Sequence, residues 1–584
     1  MQQLFICAIG PIQDFIATAR RSRDLWYGSW MLSELSKAAA KALADRAGLD
    51  NLVFPAPASS SALEPGSPLN VANKIVAVTR DAPTDLGRVV RVAIEARLDR
   101  LREDAFSRVH GVFDQELAER QLADMVEYYW ASAEMVDTAD YAGARETAEA
   151  LLAARKTTRD FKQFDGAAVP KSSLDGSRES VIPETAYPSR QDSALARASK
   201  LRRLYTAYGA RRGERLSGVD LLKRLGMRGS EEEPKFRSTS HMAALPFMAM
   251  VDRNEGAGAA AGLLARVVEL LIETEIAPED KDGSLLYESR LQEWAPDEEK
   301  LEALRRGFEA LLTDHAGESR PGPYFAMLAA DGDQMGAAID ARTSPDAHRE
   351  LSRALSDFAH TARESIAAHQ GVLVYAGGDD ILAYLPLHTV LACAGELAAG
   401  FARAMGGFTT TKGKAPTLSA GLVVAHHLDP LADALELARD AERTAKTRGG
   451  RNALAITVSK RSGVDRTIYG KWDALKPRLD DMIRFQRQGA IARGVAYELQ
   501  ELGRVLTTQD ALVSEALRVV RRKRESGGAD DTDRLKEVVG QLDKWIGSDG
   551  IPVAEIALEL IVSGLFADAA DLAFGKQTKG GGNP

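Results

Sequence analysis

Residues 371–387 read Gly-Val-Leu-Val-Tyr-Ala-Gly-Gly-Asp-Asp-Ile-Leu-Ala-Tyr-Leu-Pro-Leu. Two short apolar runs, rich in β-branched and aromatic residues, flank four turn formers, which predicts two strands joined by a tight bend. Upstream, Tyr324–Ala330 predicts a third strand that runs straight into Asp331-Gly332-Asp333. A long helical pattern (about 345–369) separates that strand from the hairpin. Downstream come a helix (about 389–405), a strand (417–425), a helix (431–447) and a strand (451–458). The core order is βαββαβ, the ferredoxin-like split. In that topology the first strand is central and the hairpin lies beside it. Asp331 and Asp379 are therefore expected to converge at one edge of the sheet.

The rest of the chain surrounds this unit. Its 584 residues suggest roughly four domains at ~150 residues each. A 45% apolar and 27% charged composition is that of a globular protein. The 75 Lys+Arg against 84 Asp+Glu give a net charge of −9, so any nucleic-acid binding must come from local basic patches, with 197–228 a candidate. The only cysteines, Cys7 and Cys393, exclude a disulfide framework and an all-cysteine zinc site. No window approaches 18 uninterrupted apolar residues, and the opening Met-Gln-Gln-Leu-Phe-Ile-Cys lacks a basic leader. A cytoplasmic protein that crosses no membrane is expected.

The fold class is α+β. Residues 1–155 form a first unit: a buried strand at 4–10, a helix interrupted by Arg20, Arg21 and Arg23, a Pro/Ser-rich loop (55–69), a strand at Lys74–Thr79 and a charged helix (84–106). Residues 156–315 are expected to be mostly helical with a loop-rich basic centre. Residues 316–465 hold the βαββαβ unit, and 466–584 are helical up to a disordered glycine tail. The Gly/Ala run 256–262 misses the spacing of a phosphate loop and reads as helix or linker.

Asp331, Asp379 and Asp380 carry the chemistry. Carboxylates brought together without a basic partner repel and raise one another's pKa. A hard divalent cation, Mg²⁺ or Mn²⁺, relieves that repulsion, binding one or two carboxylates plus substrate phosphates. Such an ion polarises an α-phosphate and activates an attacking hydroxyl. Gly377 and Gly378 permit close backbone approach to a triphosphate. A GGDD can also be only a hairpin turn, but a second acidic motif stands where the topology requires one. Lys446, in Ala445-Lys446-Thr447-Arg448, sits in the last turn of its helix. There it can serve the helix dipole or reach across to phosphates.

At these residues the sequence resembles the palm of diguanylate cyclases and, more closely, the large polymerase-like subunit of type III CRISPR effector complexes. Ile9-Gly10-Pro11-Ile12-Gln13-Asp14-Phe15-Ile16, Arg20-Arg21-Ser22-Arg23-Asp24-Leu25-Trp26 and Gly28-Ser29 are similar to the first, degenerate palm of the type III-B (Cmr) branch. Phe236-Arg237-Ser238-Thr239-Ser240, Pro416–Gly421 and Val458–Gly463 fit the same family. The resemblance implies two ferredoxin-like palms, a helical middle domain and a helical C-terminal domain. It implies a subunit of a multi-subunit ribonucleoprotein with guide RNA, target RNA and Cmr-type partners. On target binding it would convert ATP to cyclic oligoadenylates. Asp331, Asp379 and Asp380 are then metal ligands, and Gly332, Gly377, Gly378, Ser419 and Lys446 nucleotide contacts. An S-adenosylmethionine–AMP synthase on the same palm and a catalytically silent scaffold are the alternatives.

Three departures stand out. No His-Asp pair precedes the first palm, so intrinsic HD-type DNase activity is not expected. The zinc-binding CxxC pairs of the middle domain are replaced by Ser172-Ser173-Leu174-Asp175 and Ser217-Gly218-Val219-Asp220. Without thiolates no zinc is expected, and packing and polar contacts should hold the region. The first palm lacks paired acids, and Arg20, Arg21 and Arg23 are read as a solvated helix face or as a contact to RNA or a partner.

Overall fold

The computed structural model describes residues 2–11, 13–158, 166, 168–211, 213–228, 237–272, 282–293, 298–522 and 531–576. The glycine tail and Phe236 lie outside the described residues.

The apolar run from Leu4 to Ile9 makes β1 (Gln2–Gly10) a buried strand. With β2 (Leu52–Phe54), β3 (Lys74–Thr79) and β4 (Glu127–Met135) it forms an antiparallel sheet in the order β2-β3-β1-β4. The period of two then sorts its side chains. Phe5, Cys7 and Ile9 face α1 (Ser22–Ala47) and α2 (Pro83–Ser107), whereas Leu4, Ile6 and Ala8 face α3 (Tyr141–Thr157). Sequence periodicity anticipates β1, β3 and α2. It misses β2, which is only three residues long, and β4, whose Glu-Tyr-Tyr-Trp-Ala-Ser-Ala-Glu-Met mixes polar and apolar positions.

Between residues 156 and 315 the described elements are helical apart from one isolated bridge, Lys171 to Glu179. The SxxD pairs meet there. Ser172 and Ser217 each donate a hydroxyl to Asp220 Oδ2 at 2.7 Å, and the Ser217 amide donates to the same oxygen at 2.9 Å. Ser217 and Asp220 also cap the start of α4 (Gly218–Leu225) reciprocally. A hydrogen-bonded clasp joins positions that the family resemblance assigns to a metal.

The same region corrects the reading of the first basic cluster. Arg20 donates to the Ser173 carbonyl, and Arg21 to the Gly209 carbonyl at 2.7 Å. Arg23 caps α4 by donating to the carbonyls of Lys223, Arg224 and Gly226. Arg224 is 1% exposed and bridges Asp24 and Glu214 at 2.9 Å each. The cluster therefore fastens the first unit to the middle region, because open helix-end carbonyls and buried carboxylates attract guanidinium groups. Next, α5 (Thr239–Glu255) starts at Ser238, which caps the His241 amide, and Ser240 bonds His427 at 2.8 Å.

The second sheet comprises β5 (Tyr324–Asp333), β6 (Val372–Ala376), β7 (Ile381–Leu385), β8 (Thr417–His426), β9 (Ala453–Val458) and β10 (Arg466–Lys471). Its order is β10-β9-β8-β5-β7-β6, with only β8 and β9 parallel. A short α6 (Met335–Asp340) follows β5, and α7 (Pro345–Ala368) and α8 (Val390–Ala404) pack on the face of Ala326, Leu328 and Ala330. On the opposite face α9 (Leu431–Thr447) packs against Met327 and Ala329. Strand β10 falls where the sequence reads as helical. It is an edge strand whose Ile468 is its one buried residue, so its apolar signal is weak. Beyond it, α10 (Trp472–Arg487), α11 (Val553–Phe574) and the helices between them share a separate core.

The two sheet units meet directly. On α3, Arg145 is 4% exposed and donates to the carbonyls of Ile339 (2.6 Å) and Arg342 (3.2 Å) at the end of α6. Tyr141 shares a 2.6 Å hydrogen bond with His348 of α7, and the Ala56 amide donates to Ser352 Oγ at 3.1 Å.

Candidate active site: an acidic strand end beside a glycine turn

Register brings the two acidic motifs together. Ala330 pairs with Ile381 across β5 and β7, and one step further the Gly332 amide donates to the Asp379 carbonyl at 3.1 Å. The bend itself closes through the Gly377 amide to the Asp380 carbonyl at 2.9 Å. Gly378 has φ +87°, a left-handed value that glycine adopts without steric cost. At Gly332 the need is space: a Cβ there would lie 2.8 Å from Asp379 Cβ and 3.0 Å from its Oδ2. The Asp379 carboxylate thus lies beside the backbone one residue past Asp331.

The other carboxylates have separate surroundings. Asp333 is 2% exposed and accepts from Ser419 Oγ (2.9 Å), Thr417 Oγ1 (2.7 Å) and the Asn452 amide (2.8 Å). It ties β5 to β8 and to the start of β9. Ser419 is fully buried with its hydroxyl on Asp333, so it braces the strand end instead of presenting a hydroxyl to a ligand. Asp331 is contacted by Lys446 Nζ, which also lies 2.8 Å from Glu442 Oε1. Asp380 is solvent-exposed at the rim.

Burial, with neighbouring acids second, raises the carboxyls of the site. Burial, reinforced by Asp380, pushes the Asp379 carboxyl up to about 6. Burial likewise takes Asp380 to about 6, opposed by Arg439. Glu442 rises to about 7 through burial and the negative charges of Asp380 and Asp333. Burial, and then Arg451, press the Lys446 ammonium downward.

Sequence reasoning missed Glu442 and Arg439, which lie mid-helix without motif. Their proximity depends on how closely α9 approaches the sheet. A Cβ on Gly421 would lie 2.0 Å from the Glu442 amide nitrogen, so only glycine admits the helix backbone there. Gly450, Arg451 and Asn452 all take positive φ (73°, 63°, 45°), and this tight bend delivers the Asn452 amide to Asp333.

Among the described residues no three His, Cys, Asp or Glu side chains form a preformed metal cage. Asp331 and Asp379 both adjoin Gly332, but the strand's period of two turns Asp331 toward Lys446 of α9, whereas the Asp379 carboxylate lies where a Gly332 Cβ would point, on the α7 side. Mg²⁺ takes one or two carboxylates plus phosphate oxygens. A cavity of about 450 Å³ adjoins the bend. Its walls are the first unit's 54–72 segment and the α7 residues Ser352, Arg353, Ser356 and Arg363, and it reaches Gly378. No described helix is long and apolar enough to cross a membrane.

Residues 324–455 match the family described as Cas10/Cmr2, second palm domain, and residues 4–80 match CRISPR-associated protein Cmr2, N-terminal. The curated CRISPR system Cmr subunit Cmr2 of Pyrococcus furiosus is 28% identical over 253 residues, covering 38% of this chain and 29% of that protein. The match thus spans under a third of that relative's length. A type III-B Cmr-beta cryo-EM structure in the apo state has a TM-score of 0.64 at 13% identity, covering 90% of this chain and 78% of the other. The Cmr-beta structure bound to cognate target RNA gives 0.63 at 14% identity, covering 91% and 79%. These two likenesses concern the fold.

Proposed function

We propose that this chain, a Cmr2/Cas10-type protein with a palm at 324–455, is the nucleotidyltransferase subunit of an RNA-guided type III-B complex. Its activity would be the conversion of ATP to cyclic oligoadenylates when target RNA binds. The single observation that carries the chemistry is the Gly332–Asp379 bond, because it fixes the two acidic motifs at one strand end, beside a glycine bend that phosphates can approach.

Asp331 and Asp379 would hold a divalent ion, with Asp380 at the rim as a further ligand. When bound, the ion neutralises the triphosphate and lowers the pKa of an attacking 3′-hydroxyl. The chain's own groups supply the rest. Asp333, fixed by Ser419, Thr417 and the Asn452 amide, braces the end of β5. Lys446 offers a positive charge to the phosphates. The cavity between the 54–72 segment and α7 gives the nucleotide room beside Gly378. Phosphoryl transfer depends on such positioning and charge neutralisation more than on covalent chemistry by the protein.

The first sheet shares the order of the core strands β6-β7-β5-β8 and contributes the cavity's second wall. We read it as a degenerate palm without metal ligands, followed by a helical middle domain, the catalytic palm and a helical C-terminal domain. Guide RNA, target RNA and Cmr-type subunits are the proposed partners.

The test is product analysis of the assembled complex with target RNA, ATP and Mg²⁺, with and without S-adenosylmethionine. Cyclic oligoadenylates are expected, and Asp379→Ala with Asp380→Ala should abolish them. Undiminished product from that double variant refutes the site, and an AMP adduct of S-adenosylmethionine would move the assignment to that product.

A further inference from the structure

Lys446 lies in the last turn of α9, and Glu442 precedes it by one turn on the same helix face. The ammonium is hydrogen-bonded to Asp331 on the strand end and sits 2.8 Å from Glu442 Oε1. The second contact lacks hydrogen-bond alignment: Glu442 Oε1 is buried without a hydrogen-bond partner among the described residues. Glu442 is therefore ion-paired with the ammonium but not hydrogen-bonded to it, an acceptor that a small rotation of a long, flexible cation would engage fully. A buried acceptor left unsatisfied is costly, so a donor that can reach it is drawn to it. A divalent ion on Asp331 and the Lys446 ammonium on the same carboxylate compete for its oxygens and repel each other. Arrival of the ion must displace the ammonium. The nearest alternative carboxylate requires only side-chain rotation.

We propose that Glu442 is a positioning residue, the second seat of Lys446, which receives the ammonium when a divalent cation takes Asp331 and keeps it aimed at the nucleotide phosphates. The inference rests on the metal reading above and adds a residue outside both acidic motifs.

Mn²⁺ titration of the purified full chain without nucleotide, read by the electron paramagnetic resonance signal of free Mn²⁺, tests it. Lys446→Met should tighten Mn²⁺ binding by removing the competitor. Glu442→Gln should weaken it, by about tenfold, when Lys446 is present and change it little in the Lys446→Met background, the coupling expected of residues acting through one another. Equal weakening in both backgrounds means a plain charge or folding effect and overturns the proposal, as does no weakening in either. Failure of the unaltered chain to bind Mn²⁺, or Asp331→Asn binding as well as it does, sinks the metal reading itself and this inference with it.

Discussion

The Gly332 amide donates to the Asp379 carbonyl across 3.1 Å, which makes the end of β5 and the glycine bend one rigid edge. The contact leaves no room for a side chain, since a Cβ on Gly332 would stand 2.8 Å from Asp379 Cβ. Gly332→Ala should push the bend away by a fraction of an ångström to an ångström. Displacements of that size cost on the order of 100-fold in rate, whereas the overpacking costs about 1–3 kcal/mol of stability. Synthase rate and thermal unfolding, measured side by side, should show a large loss in the first and a modest one in the second.

Asp379 makes the site electrostatically unfavourable to its own fold. Its carboxyl lies near 6 in the folded chain against the ordinary 3.8, so between those values the folded state binds the extra proton. Stability then falls as pH rises through that window, and the penalty is complete above it. Asp379→Asn in metal-free buffer should raise the unfolding temperature at pH 7.5 and leave it unchanged at pH 4. Partial solvent contact reduces the gain to on the order of 1 kcal/mol. A lower unfolding temperature at pH 7.5 would contradict the cost of burying this charge.

His348 has the opposite sign. It is 4% exposed, and burial holds its pKa at about 3, below the ordinary 6.5 of an imidazole. The unfolded chain takes up the proton first, so stability present above 6.5 is lost as pH falls toward 3. His348→Gln should flatten this dependence by about 2 kcal/mol or more between pH 7 and 4.5, read by denaturant unfolding at each pH. The loss falls on the joint between the two sheets, because His348 bonds Tyr141.

The Ser172–Asp220–Ser217 clasp satisfies its polar groups by hydrogen bonds, so this region is expected to hold without metal. Dialysis against a chelator should leave the unfolding temperature unchanged, and stoichiometric zinc by elemental analysis would overturn that. Asp220→Ala strips the acceptor from two hydroxyls and one amide. At about 1–3 kcal/mol for a buried donor left unsatisfied, it should destabilise the chain by several kcal/mol.

What the sequence made legible was local. The continuous apolar runs of β5 and β8, the helical stripe of α9 and the glycine bend all declare themselves within a few residues. Strand β10 did not, because an edge strand with one buried residue has no pattern to read. Arg21 and Arg23 read as solvated because their partners, Gly209 and the α4 carbonyls, lie some 200 positions away. Ser419 looked like a ligand contact because its neighbour across the sheet, Asp333, is invisible to a motif. Glu442 stood unmarked inside a helix, and only the close approach permitted by Gly421 gives it a role.

The joint formed by Arg145, Tyr141 and Ser352 has a consequence for how the cavity beside Gly378 comes into being. Both of its walls belong to one polypeptide, so its completeness is fixed at folding and is independent of protein concentration. Dilution that would part a symmetric pair of separate palms leaves this enclosure whole.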